Sequence, residues 1–472
     1  MSSTITYGNI NLLSPFDILH LNELRIEKEN NAHARIFLTG MIPEGKKDSY
    51  IESVSSKDLL EVSQIADNSS TTVLFKGVIT NIEIKAVRGI FYVIVEGVSC
   101  TYEMDIKLKK RSFQNKDMTY TEMIKEVTKD YPGSDFIDTK AKSKKLEKVV
   151  IQYNETDWEF LKRMASHFNT GLVPDTISDK PKFWFGIPES TSNGKLEEFN
   201  FSVRKKLGNF RYLSENDTEG IDEKDFIYYE IETDKFFSIG DKVQYNDISL
   251  LVYKATYYFE DSVLRHLYML TPEKGFSQKL KLNDKLFSAA IEGKVIEINE
   301  DNVRVHLEID EAQKKEEAYW FSYATFYTAE GNTGWYCMPE LEDCIKLYFP
   351  TNKEEEGIVI NSVRRRIKGG DKIQNPDEKY FRTKFEKENK FTEKELTFST
   401  KDEKVLIRLN EDSGIELYSE NTILIKDDND LDIEADNLEI KAKDEINIEC
   451  NASRINMDGT THISGSSVKV RC

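Results

Sequence analysis

The sequence predicts a mainly β protein. It would contain two β-barrels with a small helical insert, an OB-fold barrel, and a C-terminal β-helix or β-prism intertwined from three copies. Three observations lead to this prediction. Apolar and polar residues alternate with period 2 over much of the chain, which is typical of half-buried strands. A helical period replaces this alternation between about 118 and 190. From residue 396 onward, a pair of apolar residues recurs about every eight positions, which indicates a repeat architecture.

Composition limits the classes of function. The chain has 472 residues, enough for about three domains, and 39% of them are hydrophobic, so it can fill real cores. A formal charge of −19 makes nucleic acid an unfavourable partner and favours solubility. The five cysteines form no C-x-x-C pair or Cys/His cluster, which indicates thiols in a reducing compartment, and no zinc or other cofactor is expected. They are Cys100, Cys337, Cys344, Cys450 and Cys472.

The sequence shows no recognisable targeting signal. The first residues carry no basic segment followed by an apolar stretch, so we expect no secretory signal. No apolar run approaches the ~18 residues of a membrane span. We therefore expect the chain to be made and folded in the cytoplasm.

The first 280 residues divide into three predicted parts. Residues 1–100 alternate strongly, with a turn at Arg88–Gly89, and predict the first β-barrel. Residues 101–199 form the helix-containing insert. Thr156 lies three residues before Glu159, which is the spacing of a capping box, and apolar residues then follow at helical spacing. Residues 200–280 return to alternation and predict a second β-barrel. A lone His167 on the insert helix is best interpreted as a surface or hydrogen-bonded residue.

Two further parts precede the repeat. Residues 281–365 contain five or six short strands with short connections, which suits a small closed barrel of the OB type. OB-folds often bind single-stranded nucleic acid, but the acidic surface of this segment favours a packing role. Residues 366–395 are charged and irregular in pattern, and they predict a tether.

Residues 396–472 carry the repeat. No glycine or proline occurs between Ile415 and Asp458, so the usual residues of hairpin turns are missing. Each repeat offers only a thin apolar core, and one chain alone would leave its strand edges open. Three copies are the smallest number that makes a closed prism; the alternative is a single-chain sandwich of two sheets. The predicted core positions are Leu431, Ile433, Leu438, Ile440, Ile446, Ile448, Ile455 and Met457.

Two segments resemble the VgrG family, the hub-and-spike proteins of contractile injection systems. Residues 151–175, IQYNETDWEFLKRMASHFNTGLVPD, are similar to the signature of the family's hub domain. The matching residues are Gln152, Tyr153, Glu155, Asp157, Trp158, Phe160, Leu161, Arg163, Ala165, Gly171 and Leu172. Residues 335–363 resemble the family's OB-fold segment with its P-x-x-G-D turn. Glu342 stands where the family commonly has glycine.

The resemblance implies a structural protein. It implies a homotrimer whose two hub barrels per chain build a pseudo-six-fold ring that docks a hexameric inner tube beside other baseplate proteins. The C-terminal spike would point outward, carry a PAAR-type tip protein, and be driven through a target envelope on contraction, leaving the cell with the particle. The motifs fit a type VI-like secretion system, a phage tail and a tailocin equally.

Catalysis is not expected. The chain shows no G-x-S-x-G, H-E-x-x-H or Walker motif, and the segment 366–395 is too short for an inserted enzyme domain. The alternative is a baseplate-associated peptidoglycan hydrolase with its active site between residues 100 and 200. One metal hypothesis concerns His462, because three copies of it would surround the spike axis. The simpler interpretation is an exposed or stacked histidine.

Overall fold

The computed structural model describes residues 6–65, 70–190, 193–198, 200–216, 219–329, 333–363, 375–451, 453–457 and 459. The chain divides into two compact units, residues 1–365 and 366–472. Among the residues that the structure describes, no helix combines the length and apolar character needed to cross a membrane.

The first unit begins with seventeen strands and four helices in its described ranges. The helices are α1 (Lys47–Ser53), α2 (Tyr120–Thr128), α3 (Asp157–Ser166) and α4 (Leu207–Asn216). The strands are β1 (Ile10–Leu13), β2 (His20–Glu29), β3 (Arg35–Ile42), β4 (Leu59–Ile65), β5 (Thr71–Val87), β6 (Ile90–Ser99), β7 (Lys109–Phe113), β8 (Asp135–Asp138), β9 (Val150–Glu155), β10 (Leu172–Pro174), β11 (Lys182–Phe185), β12 (Asn193–Leu196), β13 (Phe201–Lys205), β14 (Ile227–Thr233), β15 (Lys242–Tyr245), β16 (Ile248–Glu260) and β17 (Val263–Thr271).

The strands of the two predicted hub barrels are hydrogen-bonded into one large sheet of twelve strands. Its strand order is β1-β4-β5-β6-β3-β2-β16-β17-β14-β13, with β15 on β16 and β12 on β15. The two halves meet where β2 and β16 pair antiparallel, with Ile26 opposite Tyr257. A single apolar core, which includes Phe75, Val95 and Tyr268, continues through both halves. The predicted strand regions were right, and the strands of both halves belong to one sheet because β2 of the first half pairs with β16 of the second. Strand β12 also joins this sheet, although the sequence analysis assigns it to the insert.

The insert carries the predicted helix α3. The Thr156 Oγ1 atom accepts the Glu159 backbone N–H at 3.1 Å, and a Glu159 carboxylate oxygen accepts the Thr156 N–H at 3.2 Å. The capping box is therefore confirmed. Helix α2 begins with a second one, and its apolar face is buried as its period predicts. Strands β10, β11 and β8 form a small sheet, and β7 pairs with β9. His167 is hydrogen-bonded to the Tyr120 hydroxyl at 2.8 Å, as the simpler interpretation expects.

A closed five-stranded barrel completes the first unit and confirms the OB-type prediction. Its strands occur in the order β18-β19-β20-β24-β23. Strands β21 and β22 form a separate small hairpin between β20 and β23. The bounds are β18 (Ala290–Asn299), β19 (Asn302–Leu307), β20 (Trp320–Tyr323), β21 (Thr328–Ala329), β22 (Thr333–Gly334), β23 (Cys344–Tyr348) and β24 (Ile358–Ser362).

The turn before β23 contains a residue in the left-handed conformation that is not glycine. Glu342 has a φ of 70°, a conformation that costs most side chains about 1–2 kcal/mol. Its backbone N–H donates to the Val295 carbonyl at 2.8 Å, and its carboxylate lies 3.1 Å from the Lys294 ammonium. The position at which the resemblance leads us to expect glycine therefore has the backbone shape that favours glycine.

Replacing Glu342 with glycine is expected to raise the free energy of unfolding by up to about 1 kcal/mol. Glycine removes the backbone strain of the left-handed conformation. This gain exceeds the combined free-energy cost of losing an exposed ion pair and of glycine's greater conformational freedom in the unfolded chain. Urea unfolding of the full chain measures this change. Glu340→Gly in the same turn is the control, because Glu340 is outside the left-handed region and should lose stability. Equal losses in both variants would contradict the interpretation.

The second unit contains a five-stranded antiparallel sheet in the order β25-β26-β27-β28-β29 and a separate hairpin of β30 and β31. Two of these strands lie inside 366–395, so the prediction of an irregular tether was wrong for residues 379–391. The charges that suggested irregularity pair between strands, as Arg382 does with Glu388 at 3.6 Å. The bounds are β25 (Lys379–Arg382), β26 (Glu388–Phe391), β27 (Glu395–Ser399), β28 (Val405–Asn410), β29 (Gly414–Ser419), β30 (Ile446–Cys450) and β31 (Ser453–Met457).

The chain also folds back on itself where the sequence analysis expects no hairpin. Strands β30 and β31 are joined at Asn451, which has a φ of 48°, and asparagine is one of the few residues besides glycine that adopts this conformation readily. Asp402 and Glu403 take positive φ values between β27 and β28. The absence of glycine and proline therefore did not exclude turns. Residues 420–445, all of them described, form no strand.

Candidate functional site

The signature residues on and around α3 connect the insert to its neighbours. Trp158, Phe160 and Leu161 are all buried. The Trp158 ring stacks on the His33 imidazole with centroids 4.6 Å apart, and Phe160 stacks on Phe113 at 5.7 Å. Because His33 lies between β2 and β3, the stacked pair fixes the insert against the large sheet.

His33 has further partners on the insert side. Its Nδ1 atom lies 2.8 Å from the Thr101 hydroxyl, and its Nε2 atom lies 3.2 Å from an Asp105 carboxylate oxygen. Burial lowers the pKa of His33, although Asp105 opposes that shift. The imidazole therefore acts as a hydrogen-bonded wedge between the large sheet and the insert.

Arg163 ties the insert to the barrel. Its side chain is buried, its Nε and Nη2 atoms donate to the Glu155 carboxylate at 2.9 Å each, and Nη1 donates to Glu354 at 2.5 Å. A fourth hydrogen bond joins Nη2 to the Ile151 carbonyl at 2.8 Å. Burial opposes the charge on Arg163, but Glu354 and Glu155 more than offset it, so the pKa of Arg163 is raised. Glu354 lies in the loop between β23 and β24 of the barrel.

Asp157 organises a second polar cluster. Its carboxylate is fully buried and accepts hydrogen bonds from Arg111 and Lys109, each at 2.5 Å. Gln152 and the Tyr131 hydroxyl donate to it at 2.9 Å and 2.7 Å. Burial and the Asp157 charge raise the pKa of Tyr131. The signature residues Gln152 and Asp157 are thus members of one hydrogen-bonded group.

Strand β7 adds a third connection. Ser112 donates to the Asp310 carboxylate from its backbone N–H at 2.7 Å and from its hydroxyl at 2.5 Å. Gln114 donates to the Val305 carbonyl at 3.2 Å. We call Arg163, Glu155, Glu354, Ser112 and Asp310 the insert–barrel joint. Glu354 and Asp310 were not predicted from the sequence, because their acidic surroundings offer no local signal.

The chemistry of the joint is that of a structural fastener, because Arg163 is paired with Glu155 and Glu354, and Asp310 accepts two hydrogen bonds from Ser112. Across the described ranges, no group of three or more His, Cys, Asp or Glu residues could hold a metal ion. His462 lies outside the described residues.

The five-stranded sheet of the second unit has two unlike faces. The register places Phe398, Ile407 and Leu417 side by side across three strands. We call this side the apolar face, and Ile415, its most exposed member, has 76% of its surface accessible. The members of the apolar face are Phe381, Phe391, Leu396, Phe398, Val405, Ile407, Leu409, Ile415 and Leu417.

The opposite side of that sheet carries charged residues. Arg408 contacts Glu416 at 2.6 Å, Glu403 at 3.4 Å and Glu395 at 3.5 Å. Ion pairs therefore satisfy this charged face within one chain, whereas the apolar face stays open in a single chain.

The predicted core positions of the repeat are not brought together by one chain. Ile446 is partly exposed and lies opposite Met457 in the β30–β31 hairpin. Six further positions are more than half exposed: Leu431, Ile433, Leu438, Ile440, Ile448 and Ile455. Their role as an intersubunit core remains a prediction.

Solved structures share this fold. No protein-family model and no curated protein matches the chain. The Escherichia coli c3393 protein, a component of the type VI secretion system described as similar to the T4 tail proteins gp27 and gp5, aligns over 75% of this chain and 99% of its own, with 14% identity and a TM-score of 0.53.

A chain of a Francisella PdpA–VgrG complex aligns over 87% of both chains, with 12% identity and a TM-score of 0.51. A chain of the lidless form of the PdpA–VgrG complex aligns over 87% of this chain and 97% of its own, with 13% identity and a TM-score of 0.51. The expected hub-and-spike resemblance is thereby confirmed as a shared, mainly β fold.

Proposed function

We propose that this chain is the structural hub-and-spike subunit of a contractile injection machine. Three copies would form the tip that docks on the inner tube and pierces a target envelope. The observation that carries the proposal is the apolar face of the second unit. A contiguous apolar surface of this kind is uncommon on a protein that works as a monomer.

The covering surface is best supplied by further copies. A sheet with one apolar face must bury that face against another layer, and three equivalent faces around one axis would cover each other without leaving an open end. The apolar pairs beyond residue 419 continue the same pattern toward the C-terminus. The charged face would remain in water, where its ion pairs already satisfy it.

The first unit fits the role of the hub. Its large sheet and barrel would dock the hexameric inner tube and the baseplate, and the spike would carry a PAAR-type tip protein. The insert–barrel joint suits a part under mechanical load, because its hydrogen bonds hold two elements at several points. Assembly in the cytoplasm, followed by delivery when a sheath contracts, follows from this role, which needs no cofactor.

The mass of the full chain in solution tests the assembly. We expect three times the 54.7 kDa mass of one chain by light scattering. A stable monomer with an ordered C-terminal segment would contradict the proposal.

Cells lacking the gene test the role in the machine. They should assemble no contractile sheaths until the intact chain is restored. The hydrolase alternative is tested by incubating the purified protein with murein, for which we expect no turnover. Clear turnover that an acidic substitution between residues 100 and 200 abolishes would overturn the structural role.

A further inference from the structure

A hairpin on the barrel displays aromatic side chains to solvent. Strands β21 and β22 join β20 to β23, and the residues flanking them are Phe326, Tyr327, Trp335 and Tyr336. Phe326 is 97% accessible, and the other three are also more than half exposed. We call the described residues 325–329 and 333–336 the aromatic hairpin. An exposed cluster of large rings is costly in water, so it marks an interaction surface.

The base of the aromatic hairpin is ordered by its own hydrogen bonds. The Trp335 N–H donates to the Tyr327 carbonyl at 2.8 Å, and the Thr325 hydroxyl donates to the Trp335 carbonyl at 2.6 Å. Gly334 has a φ of 121°, and a Cβ atom there would lie 2.6 Å from the Tyr327 carbonyl oxygen. The rings are therefore held outward on a defined backbone.

The hairpin's neighbours limit the kind of partner. The Tyr336 hydroxyl donates to the Glu300 carbonyl at 3.2 Å, and Asp301, Glu340, Glu342 and Asp343 belong to the adjoining turns. This concentration of carboxylates disfavours nucleic acid and anionic lipid surfaces, which are negatively charged. A protein surface with an exposed apolar residue is the partner that fits.

A neighbouring copy supplies such a surface. In a rotational trimer each contact joins two different patches. Within the described part of the barrel, Phe287 is the other strongly exposed aromatic residue, at 61%. Phe287 precedes the start of β18, whereas Glu300 follows its end, so the two patches lie at opposite ends of a strand about 30 Å long. Two different patches at opposite ends of one barrel strand meet the requirement of such a ring.

We infer that the aromatic hairpin of each chain packs on the Phe287 region of a neighbouring copy's barrel. The inference rests on the proposed trimer. Only eleven residues, 364–374, separate the described part of the barrel from that of the second unit. Association of the second units would therefore hold the barrels at a high effective concentration, on the order of millimolar. The aromatic hairpin would then add a second contact between neighbouring chains of the trimer, besides that of the apolar face.

A photo-crosslinking residue, p-benzoylphenylalanine, placed at position 326 of the full chain tests the contact. Chains labelled with ¹⁵N are mixed with unlabelled chains so that adducts between chains can be told from those within one chain. We expect inter-chain adducts on the peptide that contains Phe287. The same probe at Ile137, which is 53% exposed on β8 of the insert, should give none there. Adducts on any other surface, or none, overturn the inference.

Phe326→Asp gives an independent measurement. Because Phe326 is almost fully exposed, the isolated chain should fold normally, while the trimer should dissociate with a constant about tenfold higher or more. Ile137→Asp should leave dissociation unchanged. If wild type is a trimer and Phe326→Asp dissociates equally, the hairpin contact is wrong and the proposed function stands. If wild type is monomeric at every concentration, both are wrong.

Discussion

Replacing Arg163 with methionine is expected to cost about 3–5 kcal/mol of unfolding free energy. The substitution keeps the length of the side chain but removes its charge and four hydrogen bonds. Glu155 and Glu354 would then lie buried without their cationic partner. Burial already raises the pKa of Glu155 against the opposing effect of Arg163. Removing that partner should raise it further. Denaturant unfolding of the full chain, with the first unit followed by tryptophan fluorescence, measures the loss.

Two further variants separate this effect from a general loss of charge. Arg25→Met breaks an ion pair with Glu27 on the exposed surface of β2 and should cost only about 0–1 kcal/mol. A triple variant, in which Arg163→Met is combined with Glu155→Gln and Glu354→Gln, should recover part of the stability because it removes the buried unpaired charges. If Arg163→Met costs no more than Arg25→Met, the joint does not fasten the barrel.

Replacing Leu417 with aspartate is expected to destroy the proposed trimer while leaving the single chain folded. Leu417 is 55% exposed in one chain, so a carboxylate there is hydrated and costs the single chain little folding free energy. In the assembly it would place three charges in the buried centre, at a cost of about 3–5 kcal/mol or more. Light scattering over a dilution series measures the change from trimer to monomer.

The adjacent residue provides the matched control. Tyr418 is 45% exposed on the charged face of the same strand. Tyr418→Asp should leave the trimer intact, because that face stays in water. Dissociation of both variants to the same degree would mean that the apolar face is not the contact surface. A Leu417→Asp protein that remains trimeric would mean the same.

Local signals in the sequence predicted local structure well. The spacing of Thr156 and Glu159 placed the start of α3, and the alternation of short apolar strands over residues 281–365 predicted the closed barrel. The capping contacts of α3 join residues three positions apart, and the barrel closes within one continuous segment, where β18 pairs with β23. Glu342 is a further case. This turn position keeps its left-handed backbone conformation although the residue there is not glycine.

Contacts between distant residues were not predictable from pattern. Arg163 and Glu354 are 191 positions apart, and nothing near Glu354 distinguishes it from its acidic neighbours. The pairing of β2 with β16 likewise joins strands that lie far apart in the chain. The hairpin turn at Asn451 was not predictable from glycine and proline, because asparagine takes the left-handed conformation there. The charged stretch at 379–391 concealed strands because its ion pairs form between strands.

The pairing of β2 with β16 has a consequence for synthesis. More than 200 residues separate the two strands in the chain. At a ribosomal rate of about 5–20 residues per second, β2 waits on the order of tens of seconds for its partner. During that time a strand edge and part of the core are open on each nascent chain. Several ribosomes on one message would hold many such edges close together, so timely folding of this subunit should depend on chaperones that shield nascent strands.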